Sequence, residues 1–259
     1  MDYEKRVLIC EDTLEGIFSA VYDGWHYGAK GLNVEIVTRE PDDIEFFCTY
    51  ETIPSDGEKA QKVARSVRRK LGYSVYEHIC YAAVSAHPDK GTAVFRVLLK
   101  ALGNGKCRRD IMEALADPDV CLVAKLRTKV WHELHRFYGF VRFREIGGGV
   151  LFARITPDND ILLMLAPHFA DRFPNENWMI YDAKRQKALL HPRGGEYTLR
   201  TGIKLTEEYR EAPGKTEEYE ELWKAFCKSI TVEARKNPGL QQQFVPLKFR
   251  PDMVEFERR

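Results

Sequence analysis

The stretch that best indicates the fold is residues 120–155, which read VCLVAKLRTKVWHELHRFYGFVRFREIGGGVLFARI. The first half of this stretch carries an apolar stripe at helical spacing, and its members are Val123, Leu126, Val130, Leu134 and Phe137. After Gly139 the pattern changes to two apolar runs, 140–146 and 150–155, separated by three glycines. This change predicts a long helix over about 120–138, closed by Gly139, and then a β-hairpin.

The sequence before residues 120–155 and the sequence after them predict different structures. Before it we expect short strands at 7–10, 34–37 and 44–48, and helices from about 13, 57, 74 and 90. After it we expect an apolar run at 161–165, a short helix at 167–173, strands at 178–181 and 187–190, and a last helix from Thr216. The fold class is therefore α+β: a largely helical N-terminal half, then a long helix and an antiparallel β-sheet with a C-terminal helix.

Gly103-Asn104-Gly105 combines turn residues with a break in the helical pattern. It divides the chain into a mainly helical part, residues 1–105, and an α+β part, residues 106–259. One continuous domain across this point stays open as the alternative.

Composition excludes several classes of protein. The 259 residues are 44% hydrophobic and 31% charged, which excludes a disordered chain. Lys and Arg number 40 against 39 for Asp and Glu, so a globally basic coat protein for nucleic acid is excluded too. No apolar run approaches the roughly 20 residues of a membrane span, and the N-terminus lacks a signal peptide pattern. We expect a cytoplasmic protein with no membrane partner and six reduced cysteines.

Basic residues are nevertheless segregated. Residues 100–154 hold eleven Lys or Arg against six Asp or Glu, and 59–70 hold six more basic residues. On the predicted long helix one polar face carries Lys125, Thr128, Lys129, His132, His135 and Arg136. Such a face can follow phosphates, although most charged helix faces are simply solvated.

Residues 135–185 contain the densest set of candidate functional side chains. Arginines alternate with aromatic residues there, and this combination holds unpaired bases and their phosphates in known proteins. The candidate nucleic-acid-binding residues are Arg136, Arg142, Arg172, Arg185, Lys125 and Lys129. The alternative is that the aromatics are core and that the arginines pair with Asp158, Asp160 and Asp171.

Three residues are candidates for catalysis. His168 follows Pro167 at the predicted N-terminus of a short helix, where a neutral imidazole can act as acid or base near pH 7. His135 is a second candidate acid or base, and Asp182 is a candidate to orient His168 or a water.

Common catalytic and cofactor motifs are absent from the sequence. His132-Glu133-Leu134-His135 is one residue short of the zinc-protease motif, and no phosphate loop, dinucleotide fingerprint, nucleophile elbow or deaminase motif occurs. We predict no cofactor and no metal for this chain. Whether a metal binds near His132, His135 and His168 stays open.

Four strings in order resemble one bacterial family. They are ELHRFYGFVRF at 133–143, PDNDI at 157–161, APHFADRF at 166–173 and WMIYDAKR at 178–185. Residues 12–22 and 223–238 resemble the ends of the same family, which is uncharacterised and described as DNA metabolism or DNA repair proteins. Its members are encoded beside a radical S-adenosylmethionine protein, and some relatives are fused to a uracil-DNA glycosylase. The resemblance implies DNA, single-stranded or damaged, and that radical enzyme as partners.

Three hypotheses remain. The first is an accessory protein that presents DNA to the radical enzyme. The second is a stand-alone enzyme that acts on damaged bases or nucleotides. The third is a protein–protein adaptor that never contacts DNA.

Overall fold

A computed structural model describes residues 5–41, 43, 45–105, 107–146, 148–204 and 238–256, together with Leu222, Ala225 and Ser229. The chain divides into two compact units. The first comprises Met1–His132 with Asp158–Asp160, and the second comprises Glu133–Pro157 with Ile161–Arg259. Gly103–Gly105 forms a turn of 3₁₀ helix within the first unit, and the proposed boundary at this turn stays a prediction.

The first unit contains a three-stranded parallel sheet. Its strands are β1 (Lys5–Cys10), β2 (Val34–Val37) and β3 (Cys48–Ile53), in the order β2-β1-β3. Helix α1 (Leu14–Ala29) connects β1 to β2, and a helical crossover of this kind makes its two strands parallel. The sequence predicted a strand at 44–48. The structure begins β3 at Cys48 and pairs it with β1, not with β2.

Four further helices begin in the first unit: α2 (Gly57–Leu71), α3 (Tyr73–Ala83), α4 (Lys90–Leu102) and α5 (Pro118–Phe140). The start of α2 follows local chemistry. The Asp56 side chain accepts from the backbone N–H groups of Glu58 and Lys59, as an N-cap does. α1 packs closely on α4 because Gly28 carries no side chain: a Cβ there would lie 2.7 Å from the ring of Phe95.

The second unit contains a five-stranded sheet in the order β4-β5-β6-β7-β8. The strands are β4 (Arg144–Ile146), β5 (Val150–Ile155), β6 (Asn177–Asp182), β7 (Lys187–His191) and β8 (Thr198–Thr201). All neighbours are antiparallel except β5 and β6, which are parallel because helix α6 (Leu162–Arg172) crosses between them. The α+β class is confirmed, and the sheet is mixed where a wholly antiparallel one was predicted.

Two predictions about helix ends were wrong. Gly139 lies inside α5, which continues to Phe140. Residues 162–172 form one helix, so the apolar run at 161–165 is not separate from the helix predicted at 167. Pro167 has no N–H, so the carbonyl of Leu163 lacks its helical partner. The proline is tolerated within α6 because both residues are exposed, and water can bond that carbonyl.

Within the second unit, residues 238–256 pack against the end of α5. After helix α7 (Pro238–Phe244), a 3₁₀ helix at Leu247–Asp252 buries Phe249 against the rings of Phe137 and Phe140, each at 5.1 Å between ring centroids. The helix predicted from Thr216 falls largely outside the described residues. Across the described ranges, no helix is both long and apolar enough to cross a membrane.

Candidate nucleic-acid interface

Three rings lie together in the second unit. Tyr138 of α5 stacks on His168 of α6, with ring centroids 4.3 Å apart and planes inclined by 25°. His135, one turn before Tyr138, makes an edge contact with the Tyr138 ring at 5.6 Å. The structure therefore brings together two of the predicted residues, His135 and His168, and adds Tyr138. Its spacing of three residues from His135 is the signal that could have identified it.

His168 occupies an unusual position for a polar side chain. Its Nε2 atom is buried and has no hydrogen-bond partner within the part of the chain that the structure describes. Burial lowers the pKa of His168, and the positive charge of Arg172 lowers it further. The imidazole is therefore mainly neutral at pH 7. His168 lies in the second half of α6, so its predicted place at a helix N-terminus was wrong.

Two of the predicted arginines are exposed beside these rings in sequence. Arg136 follows His135 on α5, and Arg172 lies one turn after His168 on α6. Over the described residues neither guanidinium has a carboxylate partner. Arg172 lies 5.6 Å from the ring centroid of its neighbour Phe173. Both guanidinium groups are therefore available to an anionic ligand.

Lys125 and Lys129 lie on the part of α5 that belongs to the first unit. Both are exposed, and neither forms an ion pair with another described residue. This agrees with the predicted polar face of the helix. It is equally what a solvated face would show.

Arg142, by contrast, already has a carboxylate partner. Its Nη2 donates to Glu255 Oε1 at 2.8 Å and its Nε donates to Oε2 at 3.3 Å, which is a bidentate ion pair. Nη1 donates to the carbonyl of Gly139 at 2.6 Å. These contacts tie the C-terminal residues to the end of α5. Its predicted role in nucleic-acid binding stays a prediction.

Asp182 and Arg185 form a turn between β6 and β7. Asp182 Oδ1 accepts from the backbone N–H groups of Lys184 and Arg185, and Oδ2 accepts from the Arg185 guanidinium at 3.1 Å. Burial raises the pKa of Asp182, although its contacts with Arg185 oppose the shift. Asp182 makes no hydrogen bond to His168 among the described residues. Its suggested role in orienting that imidazole stays a prediction without a supporting contact.

Most aromatic residues of this region are core. Phe137, Phe169 and Trp178 are buried, and Phe143 makes edge contacts with Phe169 at 5.3 Å and Phe173 at 5.4 Å. The core interpretation fits Phe137, Phe169 and Trp178, whereas Phe143 and Phe173 are half-buried. Tyr138 and His168 are half-buried too, and they differ in being stacked on each other where the phenylalanines meet edge to face.

Two of the cysteines are buried, and the described side chains form no metal site. Burial raises the pKa of Cys10 to about 12 and that of Cys80 to about 11, so both remain thiols at neutral pH. Across the described ranges, no three His, Cys, Asp or Glu side chains converge as metal ligands would.

Comparison with known proteins assigns a family but no activity. The model of a domain of unknown function, DUF4130, matches residues 88–255, from the start of α4 to the C-terminal residues. A search of curated proteins finds no match to this chain. The matched range is more than half of the sequence and includes every candidate site residue, so the chain belongs to the DUF4130 domain family.

Proposed function

We propose that this protein binds nucleic acid and acts in DNA metabolism or DNA repair together with a radical S-adenosylmethionine enzyme. One observation carries the proposal: Arg136 and Arg172 are exposed without carboxylate partners among the described residues, on the two helices that supply the Tyr138–His168 ring pair. When guanidinium groups bind the phosphates of a nucleic acid, the counterions of those phosphates are released, and this release favours binding. Half-buried rings offer faces on which bases stack.

Charge segregation also supports this proposal. The whole chain carries a formal charge of only +1, so a phosphate backbone gains little from the average surface. Affinity must come from local groups such as Arg136, Arg172, Lys125 and Lys129. Arg142 and Arg185 contribute less in this proposal, because their guanidinium groups are already hydrogen-bonded to carboxylates.

A separate redox enzyme as partner suits the cysteine content. The sequence lacks CxxxCxxC, and Cys10 and Cys80 are buried thiols with raised pKa values. An iron–sulfur cluster would therefore belong to the radical enzyme. The resemblance to a family with relatives fused to uracil-DNA glycosylase makes uracil-containing DNA the first damaged substrate to test.

Fluorescence anisotropy of the full chain tests the binding. Labelled single-stranded, duplex and uracil-containing DNA is titrated at about 50 and 200 mM salt, where phosphate-driven binding weakens steeply. The variant Arg136→Gln with Arg172→Gln should lower affinity by about tenfold. The matched control is Arg193→Gln with Arg200→Gln, two exposed arginines of the second unit. No binding at low salt, or equal losses in both variants, contradicts the proposed surface.

The partnership is tested separately by co-purification of the full chain with the radical enzyme, at low and moderate salt. Complex formation that DNA strengthens supports an accessory role. Complex formation that resists salt, in a chain with no DNA affinity, favours the adaptor hypothesis.

The orphaned Nε2 of His168 favours a second candidate, a stand-alone enzyme acting on damaged bases or nucleotides. A buried polar atom without a partner is uncommon, and catalytic sites are one place where such atoms persist. In the tautomer that carries its proton on Nδ1, a neutral imidazole has a lone pair on Nε2 that can accept a proton from a bound substrate or water.

Turnover of the isolated chain tests this candidate. Oligonucleotides with uracil or other damaged bases are incubated with wild type and with His168→Gln, which retains hydrogen-bonding capacity. Product formed by wild type and lost in His168→Gln, with unchanged thermal unfolding, supports an enzyme. Intact oligonucleotides after long incubation with wild type contradict it.

A further inference from the structure

The first unit contains an open pocket that none of the predicted site residues touches. Its volume is about 670 Å³, within the range of roughly 300–1,000 Å³ typical of small-molecule sites. The walls come from α1 and α2, and the floor comes from Leu98 and Leu102 of α4. Of the residues that line the pocket, only Leu98 and Leu102 lie within the range that matches the family. The pocket is therefore a separate feature from the surface of α5 and α6.

The two walls are built from the same helical spacing. On α1 the lining positions are 21, 22, 25, 26 and 29, and on α2 they are 62, 63, 66, 67 and 70. Each set follows the pattern i, i+1, i+4, i+5, i+8, which selects one side of a helix. Two such sides facing each other form a groove about two turns long, or roughly 12 Å. This length accommodates a nucleotide.

Every charged side chain in the lining is basic. His26 and Lys30 lie on the α1 wall, Lys62 and Lys70 lie on the α2 wall, and the lining contains no Asp or Glu. Glu58 lies 4.0 Å from Lys62, and both of those side chains are largely exposed. An exposed pair of this kind contributes little, so the positive charge of the pocket is available to an anion.

Below these cations, the pocket is apolar and aromatic. Val67 and Leu98 are buried, whereas Trp25 is half-buried and Tyr22 is exposed. The Tyr22 ring is already approached by cations, with Nζ of Lys62 at 5.7 Å from its centroid. A flat ring can lie against Trp25 while an attached anion reaches the lysines. Ser66 supplies one hydroxyl to bond a ring edge.

We propose that this pocket binds a nucleotide, with the base against Trp25 and the phosphate held by Lys62 and Lys70 together with Lys30. The same chemistry is offered by a free nucleotide and by one unpaired nucleotide of a strand. The proposal does not rest on the function proposed for α5 and α6, because it uses other residues on other helices.

Isothermal titration calorimetry of the full chain tests the pocket. The probes are AMP, adenosine, inorganic phosphate and octanoate. AMP should bind more tightly than adenosine or phosphate, because only AMP engages both the ring and the lysines. Octanoate binding in the absence of AMP binding would overturn the proposal in favour of an apolar carboxylate ligand.

Matched variants separate the pocket from the general charge of α2. Lys62→Gln with Lys70→Gln should lower AMP affinity by about tenfold or more. Arg65→Gln with Arg69→Gln removes the same charge from exposed positions of α2 that do not line the pocket, and should change affinity by less than about twofold. Equal losses in the two variants would overturn the proposal.

Trp25 provides an independent readout. Trp25→Ala should weaken AMP binding, and Trp25→Phe, which keeps a ring and protects the fold, should restore most of it. A Trp25→Phe variant that loses affinity as fully as Trp25→Ala while both remain folded would contradict base stacking.

Competition distinguishes the two sources of the nucleotide. A single-stranded oligonucleotide that displaces AMP assigns the pocket to a strand, and one that binds without displacing AMP assigns it to a free nucleotide. Absence of AMP binding in a chain that binds DNA through Arg136 and Arg172 refutes the pocket alone. If the chain binds AMP but does not bind DNA, only the function proposed above is refuted.

Discussion

In the second unit, Arg142 and Arg154 each donate to a carboxylate of the C-terminal residues, at 2.8 Å to Glu255 and 2.6 Å to Asp252. In the first unit, Lys62 and Lys70 line an open pocket in which no carboxylate is present. Arg142 and Arg154 thus hold distant parts of their own chain together, whereas Lys62 forms only an exposed pair with Glu58, one turn away on the same helix. A place within a family-like motif therefore does not by itself make a basic residue available to a ligand.

The largest effect should come from removing the apolar anchor of the C-terminal residues. Phe249 is buried between Phe137 and Phe140, so Phe249→Ala should lower the free energy of unfolding by about 3–4 kcal/mol. Chemical denaturation measures this loss. Phe244→Ala, from an exposed ring of the same segment, is the control and should cost less than about 0.5 kcal/mol. Similar small losses in both variants would show that the segment does not anchor the second unit.

Next in size is the ion pair of Arg142. Arg142→Ala leaves the mostly buried carboxylate of Glu255 without its partner, and should cost about 2–3 kcal/mol of stability. A double-mutant cycle with Glu255→Ala should show that the two losses are not additive. Below its unfolding temperature, Arg142→Ala should lower DNA affinity by less than Arg136→Gln with Arg172→Gln does. A stable Arg142→Ala variant that loses as much DNA affinity would place Arg142 among the main contacts of the interface.

A smaller effect concerns pH and His168. An unfolded histidine has a pKa near 6.5, and burial with Arg172 nearby lowers the pKa of folded His168 below that. The unfolded chain therefore takes up this proton first. The stability conferred by neutral His168 should be complete above about pH 6.5 and should decline as the pH falls through the lowered value.

Urea unfolding at about pH 8 and pH 5 measures this decline. The decline should be shallower in His168→Gln, with His132→Gln as the control that removes an exposed imidazole. Identical pH dependence in wild type and His168→Gln would contradict a lowered pKa.

The smallest effect on stability should come from the exposed cations. Arg136→Gln and Lys129→Gln should each change the free energy of unfolding by less than about 0.5 kcal/mol, because neither side chain has an ion pair among the described residues. Thermal unfolding measures this directly. A loss above about 1 kcal/mol in either variant would show that the residue is structural, which would remove the contrast with Arg142.

Regular helices with a clear apolar stripe were predicted well. Helices were expected from about residues 90 and 13: α4 begins at Lys90, and Thr13 caps α1 by accepting from the N–H of Gly16. These features depend on residues within one or two turns, so local sequence specifies them. The run at 161–165 was ambiguous because a short apolar run suits a strand or a buried helix equally.

Strand partners were the main failure in the fold. β2 and β3 are neighbours in sequence, yet each pairs with β1 and not with the other. The sequence analysis also predicted an antiparallel sheet and so missed the parallel pair β5–β6, whose strands are connected by helix α6. Pairing between distant strands depends on which faces bury the core, and short-range patterns do not report it.

For the candidate site, the sequence by itself determined which residue types were present: an α+β chain near neutrality, with segregated basic residues and an aromatic, arginine-rich stretch at 135–185. Only the tertiary structure decided which of those residues are available. It bonds Arg142 to Glu255, 113 residues away, and it stacks Tyr138 on His168, 30 residues away. It also joins α1, α2 and α4 into a basic pocket that no motif indicated. The physical reason is that availability depends on partners brought close by folding, and those partners lie far away in sequence.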